Sequence, residues 1–241
     1  MNKEDAIKAV EAFATQLEQK ISSTLSSVII YGSLVKGDYK PGVSDINVAI
    51  ILKEDCADTL NKIAETMRSH RPSRNTGLMI ITTEETRRAC DVFALKFREI
   101  HRYHKVIKGA PLSEMSFQKR HIIDNCEFQI RSLIIRLRKL FIQGNQSPEK
   151  LRTFMTGSFK VLLPAISSLV EEKTGTQSTT KAEIIKAAAG LNENAETVLN
   201  KILGWYNNPQ KVPPISDIQS TLDDYEALMK KFAEVADQLE R

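Results

Sequence analysis

Apolar residues in the first half of the chain follow two rhythms. Ser27-Val28-Ile29-Ile30-Tyr31, Val48-Ala49-Ile50-Ile51-Leu52 and Leu78-Met79-Ile80-Ile81 are short uninterrupted runs, the pattern of buried strands. Helical spacing separates them. Ile7, Val10, Phe13 and Leu17 form a stripe within residues 3–20, and Leu60, Ile63, Ala64 and Met67 share a face within 56–68. The segment Ser69-His70-Arg71-Pro72-Ser73-Arg74-Asn75 is a polar, basic break. Thr82 with Glu85 predicts a capping box on a short helix ending near Cys90. Residues 92–107 alternate enough to predict one or two strands, with Phe93, Leu95 and Phe97 on one face and Glu99 at the polar end.

From Pro111 onward the rhythm is helical throughout. Cys126, Ile130, Leu133, Ile134, Leu137, Leu140 and Phe141 keep a three-four spacing up to Gly144. Ser147-Pro148 predicts the next helix start, with Ser as N-cap and Pro in the first turn. Thr180 with Glu183 and Ser216 with Gln219 read as further capping boxes, and Gly175, Gly190 and Pro209 as stops. The expected fold is therefore α/β (α+β) with a mixed sheet over residues 1–110. An all-α antiparallel bundle of four or five helices is expected over residues 111–241.

Composition changes this picture little. A chain of 241 residues suits one or two domains, and 41% hydrophobic with 27% charged residues is an ordinary soluble balance. No apolar run approaches the roughly 20 residues needed to cross a bilayer, and Met1-Asn2-Lys3-Glu4-Asp5 is not a signal peptide. Cys56, Cys90 and Cys126 are an odd number of widely spaced thiols, which speaks for a reducing, cytoplasmic setting and against a disulfide scaffold. The net charge of +4 favours a polyanionic ligand, although solubility explains it equally well.

Candidate chemistry gathers where the first strand meets the second. Gly32-Ser33-Leu34-Val35-Lys36-Gly37 leaves the first strand, and Ser44-Asp45-Ile46-Asn47 enters the second. Such a turn, followed by an acidic strand entry, suits a nucleoside triphosphate and a divalent metal. Gly32 lets the backbone approach a phosphate without a side chain in the way. Ser33 offers a hydroxyl and an N–H to the same anion, and Lys36 a compact positive charge. Asp45 and Asn47, two apart on a strand, leave the same face.

These residues resemble the signature of the nucleotidyltransferase superfamily, the group that includes the kanamycin and streptomycin nucleotidyltransferases. Its usual form is Gly-Ser, a basic residue and Gly, then Ser-Asp-x-Asp; here the second Asp is Asn47. Residues 91–100 and 104–109 further resemble the end of that domain in a bacterial two-domain type, where a helical domain follows. The resemblance implies phosphate contacts from Gly32, Ser33, Lys36 and Ser44. It implies Mg2+ held by Asp45 and the Asn47 position, and Glu99 as a metal ligand or as the base for the acceptor hydroxyl. It also implies an inter-domain cleft in which a nucleoside monophosphate passes from NTP to a hydroxyl. Asn47 can coordinate through its carbonyl but adds no charge. Two charges about 4 Å apart interact by roughly 4 kcal/mol at an effective dielectric of 20, so two-metal catalysis is weakened.

Plainer readings stand beside each of these. The Gly-Ser pair alone is a common turn, and Glu99 could simply pair with Arg98 or Arg102. His101 and His104, three apart on a strand, would point to opposite faces, which speaks against a shared zinc. Arg68, Arg71, Arg74, Arg87 and Arg88 admit a nucleic acid or a solvated surface, and no interleaved aromatics favour the former. On the largest bundle helix Arg131, Arg136, Arg138 and Lys139 have the cleft as one expected destination, while Glu127–Arg131 has the spacing of an i,i+4 pair. Three functions stay open: an active nucleotidyltransferase, a nucleotide-binding pseudoenzyme with a regulatory role, and an interaction protein that homodimerises or docks a partner. The acceptor is not legible.

Overall fold

The computed structural model describes residues 1–143 and 147–240. It divides into two compact units, Met1–Phe117 and Gln118–Arg241. The first runs α1 (Lys3–Ile21), β1 (Leu25–Tyr31), α2 (Ser33–Lys36), β2 (Ile46–Leu52), α3 (Ala57–His70), β3 (Thr76–Thr82), α4 (Thr83–Arg88), α5 (Ala94–Arg102) and β4 (His104–Gly109). The strands form one mixed sheet in the order β3-β2-β1-β4. β1 is antiparallel to both β2 and β4, whereas β2 and β3 are parallel and joined through α3.

Alternation along the strands sorts the core into two layers. Val28, Ile30, Ile46, Val48, Ile50 and Leu52 face α1 and α3, against Val10, Phe13, Leu17 and Ile63. Ile29, Tyr31, Ala49, Ile51 and Ile81 face the other way, against Phe97 and Ile100 of α5. Both faces of β1 and β2 are covered, which is why their sequences are uninterrupted apolar runs. Asn47, paired with Tyr31, falls on the α5 side.

Two expectations in this unit are corrected. Residues 94–102 are helix α5, not strand, and only residues 104–109 form β4. The buried residues Ala94, Leu95, Phe97, Arg98 and Ile100 follow helical spacing, while Phe93, outside the helix, is exposed. In α3 the buried residues are Thr59, Ile63 and Thr66, so Leu60 and Ala64 turn to solvent. Thr66 is accommodated because its hydroxyl donates to the Lys62 carbonyl, at 2.8 Å. The Thr82–Glu85 capping box is present on α4.

The second unit holds α6 (Lys119–Gln143), α7 (Pro148–Thr174), α8 (Lys181–Ala188), α9 (Ala195–Asn207) and α10 (Ile215–Glu240). Ser147 caps α7 and Pro148 begins it, Gly175 closes it, and Thr180 with Glu183 makes the capping box of α8. Ser216 lies inside α10, which starts at Ile215, so it is a first-turn residue and not the N-cap. The expected stop at Gly144 lies outside the described residues. By length and composition alone α7 could cross a membrane. It is instead the central helix of this unit, packed on α6, α8, α9 and α10.

Candidate functional site

The turn after β1 is built by its glycines. Gly32 has φ 76° and ψ −146°, a conformation costly for any residue with a Cβ. Its carbonyl accepts from the N–H groups of Val35 and Lys36, both at 3.0 Å, which winds the single turn of α2. Ser33 opens that turn half-exposed, and Lys36 closes it.

Gly32 also lies close to β2. A Cβ there would lie 2.9 Å from Asn47 Nδ2, and a Cβ on Gly77 would lie 2.7 Å from Asn47 Oδ1. Asn47 pairs with Tyr31 across β1–β2 and with Gly77 across β2–β3, so its amide sits in a slot that two glycines leave open. Since paired residues share a face, Asn47 is on the Tyr31 side of the sheet, and Asp45 precedes the first residue of β2. Asp45 is half-buried at the entry to β2. Ser44 is buried, and its hydroxyl accepts from the Lys40 N–H at 3.0 Å; the residue closes the loop that delivers Asp45.

Glu99 reaches this region from α5, not from a strand. Its Oε1 accepts from Lys36 Nζ at 2.7 Å, a contact between residues 63 apart in sequence, with the two side chains 19% and 13% exposed.

Three further residues join this pair and were not foreseen. Lys36 Nζ lies 4.8 Å from the centre of the Tyr103 ring, and Lys96 Nζ lies 4.5 Å from that of Tyr31. Burial, with the negative charge of Glu99, pushes the Tyr31 hydroxyl up to about 12. Burial lowers the Lys96 ammonium, opposed by Glu99 and reinforced by Lys36. Lys96 as a residue is exposed, so that lowering is felt only at the charged end lying over the ring. Sequence spacing could have found Lys96, Glu99 and Tyr103, since three and four residues apart is one helix face; the strand reading concealed it.

Other candidates have local roles. His104 Nδ1 lies 3.0 Å from the Ile100 carbonyl, and His101 stacks edge-on with Phe117. Among the described residues no group of three or more His, Cys, Asp and Glu could hold a metal by itself. Arg68, Arg71, Arg74, Arg87 and Arg88 are exposed, and Arg88 pairs with Glu84. Within the second unit Arg131 pairs with Glu127 and Asp237, and Arg138 with Glu226. Cys56 is an exposed thiol, while Cys90 and Cys126 are buried ones, and none of the three is disulfide-bonded.

Residues 10–112 match the family model of the nucleotidyltransferase domain. Among curated proteins there is no match. Among solved structures the chain is similar to spectinomycin adenyltransferase from Enterococcus faecialis, determined with ATP and spectinomycin. The two are 16% identical, the match covers 95% of this chain and 100% of that one, and the TM-score is 0.58. At that identity the likeness is one of fold. The first unit of this chain thus carries the match to a nucleotidyltransferase domain, and an all-helical unit follows it.

Proposed function

We propose that the chain binds a nucleoside triphosphate with Mg2+ and transfers its nucleoside monophosphate to a hydroxyl acceptor, releasing pyrophosphate. The observation that carries this reading is the Lys36–Glu99 pair beside the Gly32–Ser33 turn. It sets an ammonium group suited to a phosphate beside a carboxylate suited to act as a base. The spectinomycin adenyltransferase of similar fold was determined with ATP, which supports a nucleotide here.

The donor set fits one magnesium ion. Asp45 would supply a carboxylate and Asn47 an amide carbonyl from its glycine-lined slot, with phosphate oxygens and water completing the shell. Magnesium, when bound, neutralises charge on the triphosphate. Ser33 would donate its hydroxyl and N–H to a phosphate, and Lys36 would leave Glu99 to meet the same anion. Glu99, released, would take the proton of the acceptor hydroxyl as its oxygen bonds to the α-phosphorus and the bond to the β-phosphate breaks. Positioning and charge compensation would supply most of the rate.

Asn47 favours a second reading, in which nucleotide is bound but transfer is slow and the protein acts as a sensor or regulatory partner. Both share the binding step. Titrating the purified chain with each NTP, with and without magnesium, tests it. Ser33→Ala should weaken binding by about 1–3 kcal/mol, the loss of a hydrogen bond to a charged group. Unchanged affinity in that variant would make the turn merely structural. Pyrophosphate release with a panel of hydroxyl acceptors then separates the two readings.

A further inference from the structure

Four charged residues stand on the Gly32–Lys36 turn, at the entry to β2 and on α5, and their formal charges cancel. Asp45 and Glu99 are the carboxylates, Lys36 and Lys96 the ammonium groups. Lys36 is held by Glu99 at 2.7 Å and flanked by the Tyr103 ring. Lys96 stands on the Tyr31 ring at 4.5 Å, close enough to feel both Glu99 and Lys36. Where the motif resemblance calls for another carboxylate there is the neutral amide of Asn47.

This balance matters for the ligand. Collecting two divalent cations needs a surplus of anionic oxygen. Here that surplus is absent once both lysines are counted. A triphosphate, by contrast, is a polyanion that meets two ammonium groups and the N–H groups of a turn. One of those ammonium groups is placed in advance, because the tyrosine ring beneath Lys96 attracts its charge. When Lys36 turns to a phosphate, Lys96 remains within electrostatic reach of Glu99, so the carboxylate keeps a cationic neighbour.

We infer that Lys96 is a second phosphate-binding cation, and that with Lys36 it lets this face take a triphosphate with a single divalent cation or with none. The inference rests on the nucleotide reading above, and it departs from a two-metal scheme.

The test titrates ATP and inorganic tripolyphosphate into the full chain, in magnesium and in EDTA, for wild type, Lys96→Met and Lys96→Arg. Wild type should bind ATP in EDTA within about tenfold of its affinity in magnesium. Lys96→Met should lose about tenfold or more of the metal-free affinity for both ligands, the scale of one charge-assisted hydrogen bond. Lys96→Arg should restore most of it, and thermal melts should show all three proteins folded. Should Lys96→Met melt early, Lys96→Gln takes its place. ATP binding that collapses in EDTA, or metal-free binding indifferent to loss of the Lys96 charge, overturns the inference while leaving the nucleotide reading intact. No ATP binding in either condition overturns both.

Discussion

Restoring the carboxylate at residue 47 is the sharpest perturbation this site allows. Asn and Asp have nearly the same shape, and the slot between Gly32 and Gly77 already accommodates the amide. Asn47→Asp therefore adds charge with little steric change. The nearest carboxylate in sequence is Asp45, and an extended chain rising roughly 3.3 Å per residue would separate the two by about 6.6 Å. Two like charges at about 6.6 Å repel by roughly 2.5 kcal/mol at an effective dielectric of 20 and by about 0.6 kcal/mol in water. Asn47 is half-buried, so a cost between these limits, on the order of 1–2 kcal/mol, is expected without metal. For a domain of this size that lowers the melting temperature by roughly 3–10 °C. Magnesium should reverse the effect, since a cation bound to the native state stabilises by mass action. Magnesium with ATP should reverse it further.

Scanning calorimetry of both proteins, with and without magnesium and ATP, reads this out. Tryptophan fluorescence would not serve, because the one tryptophan, Trp205, lies on α9 in the second unit and the two units need not melt together. The expected result is a lower metal-free transition for Asn47→Asp and a larger magnesium-dependent rise than in wild type. Equal magnesium responses would refute the reasoning. They would mean that residue 47 does not face the cation, whatever the sequence motif implies.

Other outcomes follow from single contacts. Gly109→Ala should be strongly destabilising, by more than about 3 kcal/mol in denaturant titration, because its Cβ would lie 2.1 Å from the Ser26 carbonyl oxygen at φ 87°; a loss below about 1 kcal/mol would show that β1 and β4 can part at no cost. Lys36→Met leaves the Glu99 carboxylate, 19% exposed, without its 2.7 Å partner and should cost about 1–3 kcal/mol, whereas a neutral result would show that solvent already satisfies Glu99. Tyr31 has a folded pKa raised from 10.0 to about 12, so its contribution is fully present below pH 10 and is lost as pH rises through 12. That loss should be on the order of 1–3 kcal/mol. Tyr31→Phe should be less sensitive across that window, and an identical alkaline profile would assign the loss to other groups.

Sequence reading succeeded where one physical cause dominated. Uninterrupted apolar runs became β1 and β2 because both faces of those strands are covered, and capping boxes marked α4 and α8 because unpaired N–H groups demand local acceptors. It failed where two periods fit the same letters. Phe93, Leu95 and Phe97 satisfy alternation, and Ala94, Leu95, Phe97, Arg98 and Ile100 satisfy a helical stripe. The strong helix formers Ala, Leu, Lys, Arg and Glu in that stretch weigh for the helix. In α3 the residues that look apolar are not the buried ones, since threonines satisfy their hydroxyls within the helix and can be covered. The turn from Gly32 to Lys36 was legible because it is local. The partners of Lys36 were not, as they arrive from residues far along the chain.

The α5 error bears directly on the chemistry. On a strand, Lys96 and Glu99 would point to opposite faces, and only one of them could meet the Gly32 turn. On a helix, Lys96, Glu99 and the adjoining Tyr103 share a side, next to the Phe97 and Ile100 stripe that packs on the Tyr31 face. The helix thus places a cation one turn before the carboxylate, and each of the two lysines finds its own tyrosine ring. A motif reading keeps Glu99 and discards its neighbours. The folded arrangement makes Glu99 one member of a charged set, so its freedom to act depends on Lys36 and Lys96 together. Removing either lysine should therefore change what Glu99 does, and a comparison of Lys36→Met with Lys96→Met in the pH profile of nucleotide binding would separate their shares.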